Sequence, residues 1–99
     1  MSFVTTHPEA LASAAAGLQN IGAVVAAGNA AAATSTTGVI PAAADEVSVL
    51  TAAQFAAHAA LYQTISAQAT AIHELFVATL GTSAGSYAAT EAANALTAL

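Results

Sequence analysis

Few residues of this 99-residue chain have the types and spacing that chemistry requires. Residues 81–85, Gly-Thr-Ser-Ala-Gly, match the G-x-S-x-G pattern, in which a nucleophilic serine stands on a sharp turn between a strand and a helix. That chemistry also needs an acidic residue and then a histidine later in the chain, and no histidine follows Ser83. The segment before it has a helical pattern. We therefore interpret residues 81–85 as a glycine-rich helix end.

The three histidines and five acidic residues form no recognisable metal or catalytic site. His58 and His73 are about four turns, or roughly 22 Å, apart on one helix, so they cannot share a metal ion within the chain. His73 is followed by Glu74, but the second histidine of an H-E-x-x-H zinc site is missing. Asp45 and Glu46 are adjacent, and neighbouring residues diverge on a helix. There is no cysteine, so no thiolate can bind a metal ion. With no credible site among these residues, we expect no enzyme activity, no cofactor and no metal.

The charge composition excludes further classes of function. The chain contains no lysine or arginine and has a net charge of −5. Nucleic acids and anionic lipid surfaces are bound through cations, so neither is an expected partner. The N-terminal residues offer no basic region for a Sec signal peptide. The apolar run over residues 21–33 is mostly alanine and falls short of the roughly 20 strongly apolar residues of a membrane span.

A first helix is predicted over residues 8–36. Thr6 and Glu9 have the spacing of a capping box, and Pro8 suits a first turn because its missing N–H needs no partner there. Residues 34–38 are predicted to end the helix, with Gly38 suited to a left-handed conformation. Small and apolar residues recur at steps of three and four along one side, at Leu11, Ala14, Leu18, Ile21, Val25, Gly28 and Ala32.

A second helix is predicted over residues 41–80, because no glycine or proline interrupts the chain between Pro41 and Gly81. Asp45 and Glu46 lie early in this helix, where its dipole favours negative charge. Large apolar residues follow one another at helical spacing, in one line of Phe55, Tyr62 and Phe76 and a flanking line of Leu50, Leu61, Ile65, Ile72 and Leu75. The short connection makes the two helices antiparallel neighbours. Residues 1–80 are thus a predicted helical hairpin, and residues 81–99 a predicted flexible tail.

Such a hairpin has no enclosed core. Thirty-two residues are alanine, which buries little surface, and a chain of this length is near the limit at which one core stabilises a fold. Each helix shows one stripe to its mate and a second stripe to solvent, which is an aggregation hazard in a monomer. We therefore expect an all-α, long antiparallel two-helix hairpin that completes a four-helix bundle with a partner protein. The predicted interface consists of Leu11, Leu18, Ile21, Val25, Leu50, Phe55, Leu61, Tyr62, Ile65, Ile72 and Phe76.

Three stretches together resemble the mycobacterial PE family. They are the start Met-Ser-Phe-Val-Thr-Thr-His-Pro-Glu, the Pro-Ala-Ala-Ala-Asp-Glu-Val-Ser segment at residues 41–48, and the pair Tyr87-x-x-x-Glu91. The family is named for the Pro-Glu near its N-terminus, here Pro8 and Glu9. The resemblance covers the whole chain, whose length is similar to that of a PE domain without a C-terminal extension.

The resemblance implies partners and a route of export. PE proteins pair with PPE proteins as heterodimers, and they are substrates of type VII (ESX) secretion systems. Tyr87 and Glu91 match the family's Y-x-x-x-[DE] secretion signal, and on a helix they would share one face. An EspG-type cytosolic chaperone typically binds the PPE partner. The implied location after export is outside the cell or in the cell envelope. The alternative is a PE/PPE pair that acts in the mycobacterial outer membrane in solute uptake.

Overall fold

Two long helices make up the computed structural model, which describes residues 4–99. Helix α1 is Pro8–Thr37 and helix α2 is Glu46–Thr97, and residues 38–45 connect them. No strand occurs among the described residues. The first three residues of the predicted family-like start lie outside the described part of the chain.

The chain divides into two compact units, and both helices contribute to each. The loop unit is Ala23–Ile72, and the terminal unit combines the described residues up to Gly22 with His73–Leu99. In the loop unit, Asn29 contacts Tyr62 and Gln63. In the terminal unit, Thr6, just before α1, contacts Glu91 near the end of α2, and Leu18 of α1 contacts His73 of α2. Within each unit the helices are therefore antiparallel, and the predicted all-α hairpin is confirmed.

Helix α1 starts without the predicted capping box. The carbonyl of His7 accepts the amides of Ala10 and Leu11 at 3.0 and 3.3 Å, so His7 is the N-cap and Pro8 the first helical residue. The third helical position is then Ala10, and Glu9 is one residue too early to complete a capping box. The hydroxyl of Thr6 donates to Glu91 instead. The capping box is therefore a wrong prediction, because the cap lies one residue later than expected.

Helix α1 ends at Thr37, where side-chain hydroxyls bond back to the helix. The Thr37 hydroxyl donates to the carbonyl of Ala33 at 2.7 Å, and the Gly38 amide donates to the carbonyl of Thr34 at 3.0 Å. A Cβ on Gly38 would lie 3.0 Å from that same oxygen. No residue among 4–99 has a positive φ, so the left-handed Gly38 is a wrong prediction. A close approach of backbone, rather than a special dihedral, is what favours glycine there.

Asp45 is the N-cap of α2, and it moves the start of the helix from the predicted residue 41 to Glu46. Its carbonyl accepts the amide of Val49 at 3.1 Å. Its carboxylate accepts the hydroxyl of Ser48 at 2.7 Å and the amide of Ser48 at 3.0 Å. The Ser48 hydroxyl, followed by the Ser48 amide, holds the pKa of Asp45 below its ordinary value of 3.8, because both bonds stabilise the anion.

Substituting Asp45 should weaken the start of α2. We expect Asp45→Ala to lower the thermal midpoint, and Asp45→Asn, which keeps an acceptor oxygen, to lower it less. Since the folded pKa lies below the unfolded one, the ionised cap contributes stability above pH 3.8 and loses it as the pH falls through the folded pKa. Circular dichroism melts should therefore show a wider gap between wild type and Asp45→Ala at neutral pH than near pH 2. Equal gaps would contradict this role.

Helix α2 does not end at Leu80, so the predicted flexible tail over residues 81–99 is corrected to helix as far as Thr97. Gly81 and Gly85 lie inside the helix, and each costs about 1 kcal/mol relative to alanine. Ala84 between them is only 5% exposed, and Glu91 bonds to Thr6. These long-range contacts, with alanine-rich flanks, outweigh the local cost of the two glycines.

Small side chains make up the interior of each unit. Among the described residues, the buried hydrophobic side chains are all alanines: Ala15 and Ala84 in the terminal unit, and Ala52 and Ala59 in the loop unit. Small residues allow the backbones of neighbouring helices to approach closely, but they remove little apolar surface from water. The large apolar side chains are consequently left for other contacts.

Candidate functional site

Helix α2 carries an outward apolar face in the loop unit. Phe55 and Tyr62 are seven residues apart, as are Ile65 and Ile72, so each pair returns to one side of the helix. Phe55 is 63% exposed and Ile72 is 68% exposed. The positions with low exposure follow a different register, at Ser48, Ala52, Ala56, Ala59, Gln63, Ser66 and Thr70. Helix α2 thus has a small and polar inner face, and an outer face of large apolar residues that we call the outward face.

In the terminal unit, large apolar residues of α2 likewise lie next to positions of low exposure. Phe76 directly precedes the half-buried Val77, as Tyr62 directly precedes the half-buried Gln63. Leu75 and Phe76 are both exposed. The positions with low exposure on α2 in this unit are His73, Val77, Leu80, Ser83, Ala84 and Glu91. Large apolar side chains of α2 therefore lie outside in this unit as well.

The predicted line on α1 is offset from the observed contact between the helices. The positions with low exposure are Pro8, Leu11, Ala15, Leu18 and Gly22 in the terminal unit, and Asn29 and Ala33 in the loop unit. Of the predicted interface residues on α1, Leu11 and Leu18 are half-buried, while Ile21 and Val25 are exposed. On α2, every predicted interface residue is exposed: Leu50, Phe55, Leu61, Tyr62, Ile65, Ile72 and Phe76.

Polar contacts join the helices at positions that the apolar pattern missed. In the loop unit, the side-chain oxygen of Asn29 accepts the Tyr62 hydroxyl at 2.9 Å, and its carbonyl accepts the Gln63 amide group at 3.0 Å. In the terminal unit, Nε2 of His73 lies 2.7 Å from the carbonyl oxygen of Leu18. A carbonyl can only accept, so Nε2 carries the hydrogen and donates.

Gly22 makes the room that His73 occupies. A Cβ on residue 22 would lie 2.8 Å from both Cδ2 and Nε2 of the His73 ring. Gly22 and Asn29 are seven residues apart on α1, and both lie on its inner side. That repeat of a glycine and a polar residue, inside an otherwise apolar helix, is the signal that would have located the inner face from the sequence.

The predicted signal residues Tyr87 and Glu91 lie one turn apart on α2 in the terminal unit. Oε1 of Glu91 accepts the backbone amide and the hydroxyl of Thr6, each at 3.0 Å. The Tyr87 side chain is exposed. It lines a shallow depression of about 300 Å³ together with Thr82, Ser83, Ser86 and Thr90. The phenol is therefore presented to solvent, while the carboxylate is held at the start of α1.

The residues considered for catalysis lie in helical surroundings. Ser83 is inside α2, so the strand-to-helix turn of a nucleophile elbow is not formed around it. His58 and His73 both belong to α2. Within residues 4–99, no group of three or more histidine, cysteine, aspartate or glutamate residues gathers at metal-binding distance.

The comparison with known proteins agrees with the resemblance carried by the motifs. The PE family profile matches residues 4–94. The chain is 70% identical over 95 residues to PE family protein PE13 of Mycobacterium tuberculosis, with 96% of each protein covered. It is 57% identical to PE family protein PE8 and 58% identical to PE-PGRS family protein PE_PGRS33 of the same species, spanning 34% and 20% of their respective lengths. The chain therefore belongs to the PE family.

Proposed function

We propose that this chain is a non-enzymatic, secreted PE protein that forms a heterodimer with a PPE-family protein and is exported by a type VII (ESX) secretion system. The observation that carries the proposal is the outward face of α2, where large residues such as Phe55 and Ile72 are exposed. A hairpin with an alanine interior gains little from its own burial. Two helices of a partner would cover the outward face and complete a four-helix bundle.

The charges of the chain favour a different protein over a second copy of itself. The net charge is −5, and there is no lysine or arginine to compensate. Glu74 is exposed beside the large apolar residues Leu75 and Phe76. Two copies would bring like charges together, whereas a partner with a basic residue near Glu74 would neutralise one. With no cation on this side, docking should be mainly apolar and only weakly dependent on salt.

Export is proposed to depend on Tyr87 and Glu91. Both lie on α2 in the terminal unit, and the exposed Tyr87 is accessible to the secretion machinery. The EspG-type chaperone would act mainly through the PPE partner. On this proposal the protein is cytoplasmic before export, and afterwards it is secreted or located in the cell envelope.

Helix α1 favours a second candidate function. Its most apolar stretch of 18 residues has a mean hydropathy of 1.5, and only 6% of that stretch is buried within the chain. Judged by length and composition only, α1 as a whole is long and apolar enough to cross a membrane, although residues 21–33 by themselves fall short. This property suits a PE/PPE pair that acts in the outer membrane in solute uptake. Fractionation separates the candidates, since protein in the culture filtrate, or released from the envelope without detergent, supports the first, and protein released from the envelope only by detergent supports the second.

Co-expression with a PPE-family protein tests the main proposal. Size exclusion with light scattering should show a soluble one-to-one complex, and this chain alone should aggregate. Tyr87→Ala should leave the complex intact, because Tyr87 lies beyond the predicted interface residues, which end at Phe76, but it should abolish export into the culture filtrate of a mycobacterial host. Tyr87→Phe serves as the matched variant that retains the ring and loses only the hydroxyl.

Two results would overturn separate parts of this proposal. A stable monomer, or a homodimer that does not bind the PPE protein, would contradict the proposed heterodimer. Export of Tyr87→Ala at the wild-type level would contradict the proposed secretion signal and would not affect the proposed heterodimer.

A further inference from the structure

We propose that Glu91 serves export by fastening the end of α2 to Thr6, so that Thr6, Tyr87 and Glu91 form one composite signal in which Tyr87 is the group presented. The inference rests on the proposed function, because it concerns the same export signal. Thr6 is then a positioning residue, since it acts through Glu91 and the helix that carries Tyr87.

Thr6 and Glu91 are far apart in the sequence but form a direct contact in the structure. The two residues are 85 positions apart, and Oε1 of Glu91 accepts both the amide and the hydroxyl of Thr6 at 3.0 Å. Hydrogen bonds to an ionised acceptor are stronger than bonds between neutral groups. We refer to these two bonds as the Thr6–Glu91 clasp.

The segment held by the clasp has few other anchors. From residue 85 to residue 99, Glu91 is the one position that is not exposed. Gly81 and Gly85 further weaken the helix at the beginning of this segment. A terminal helical segment with little burial frays unless something ties it down. Tyr87 lies one turn before Glu91, so its position depends on the clasp.

The clasp requires only a hydrogen-bond acceptor at residue 91, whereas direct recognition by the secretion machinery would require the negative charge of Glu91. Thr6 is the donor in both bonds, so a neutral amide oxygen can accept them as well. Glu91→Gln keeps an acceptor and removes the charge, whereas Glu91→Ala removes both. Thr6→Ser keeps the hydroxyl, and Thr6→Val keeps the shape and the amide but loses the hydroxyl. These four variants separate the acceptor from the charge.

Hydrogen exchange of the full chain, co-purified with its partner, measures the order of the tail. We expect the amides of residues 86–97 to exchange about tenfold faster in Glu91→Ala, and less than that in Thr6→Val, which retains one of the two bonds. Glu91→Gln and Thr6→Ser should restore slow exchange. Thr6→Val added to Glu91→Ala should cause no further change, because the clasp is already lost. Unchanged exchange in Glu91→Ala would overturn the clasp.

Export of the same variants into the culture filtrate tests what the clasp does. We expect the largest loss in Glu91→Ala, an intermediate loss in Thr6→Val, and rescue by Glu91→Gln and Thr6→Ser. Loss of export in Glu91→Gln with slow exchange retained would overturn the proposal, because the charge itself would then be recognised. Full export of a variant with a fast-exchanging tail would overturn it too.

Tyr87→Ala distinguishes the two proposals. Full export of this variant would contradict the proposed secretion signal, whatever the exchange data show for the clasp.

Discussion

Replacing Ile65 and Ile72 by aspartate is expected to abolish association with the proposed PPE partner while the chain stays helical. The two side chains are 54% and 68% exposed, so the hairpin itself loses little contact. In the complex, each substitution would place an unpaired carboxylate in an apolar interface. Burying an unpaired charge costs several kcal/mol, which corresponds to about a thousandfold loss of affinity or more. Size exclusion and circular dichroism measure the two expected outcomes.

Ile40→Asp is the matched control for each single variant. Ile40 is 85% exposed, lies in the connection between the helices, and receives the same added charge. It should retain the partner. If the Ile65 and Ile72 variants still bound the partner, the outward face would not be the interface. If Ile40→Asp lost as much affinity as they do, the effect would be due to net charge.

Gly22→Ala is expected to destabilise the chain, although alanine is the better helix former. The added Cβ would lie 2.8 Å from two atoms of the His73 ring, which donates a hydrogen bond to the carbonyl of Leu18. Either the ring leaves this bond or the helices separate. Overpacking of this kind costs about 1–3 kcal/mol, which exceeds the gain of about 1 kcal/mol in helix propensity. Denaturant unfolding of the soluble complex with the proposed partner measures the difference.

Gly17→Ala and Gly28→Ala are the controls for this prediction. Apart from the adjacent residues and the local helix backbone, no atom lies within 4 Å of a Cβ built at either position, so both should stabilise the chain by up to about 1 kcal/mol. In a His73→Ala background the ring that the added Cβ would contact is absent, so Gly22→Ala should stabilise the chain as well. Destabilisation of equal size in both backgrounds would show that His73 is not the cause.

The sequence predicted the hairpin because its evidence is local. Pro8, the unbroken stretch after Pro41 and the seven-residue spacing of Phe55 and Tyr62 can each be interpreted from a few neighbouring residues. The end of α2 was missed because Gly81 and Gly85 favour a helix end locally. What continues the helix is contact with residues far away in sequence, and no local pattern reveals such contacts.

The outward face was easier to predict than the inner one. Large residues at helical spacing are conspicuous, and those of α2 are exposed as an interface requires. On α1, the predicted partner-interface residues Ile21 and Val25 are exposed too, so that prediction did not locate the contact between the two helices. The helices instead meet at Ala15, Gly22 and Asn29, where small or polar side chains permit close approach. The roles of Asn29 and His73 depend on partners across the hairpin, so only the structure shows them.

The alanine interior places folding and pairing on different residues. Ala52 and Ala59 are buried between the two helices, whereas Phe55 and Ile72 are exposed, so on the proposed pairing a substitution at either of these two acts on the contact with the partner. Duplicated genes for such a hairpin can therefore diverge in partner choice while the scaffold is preserved. On the proposed pairing, substitutions on the outward face would alter the choice of partner without acting on the alanine interior.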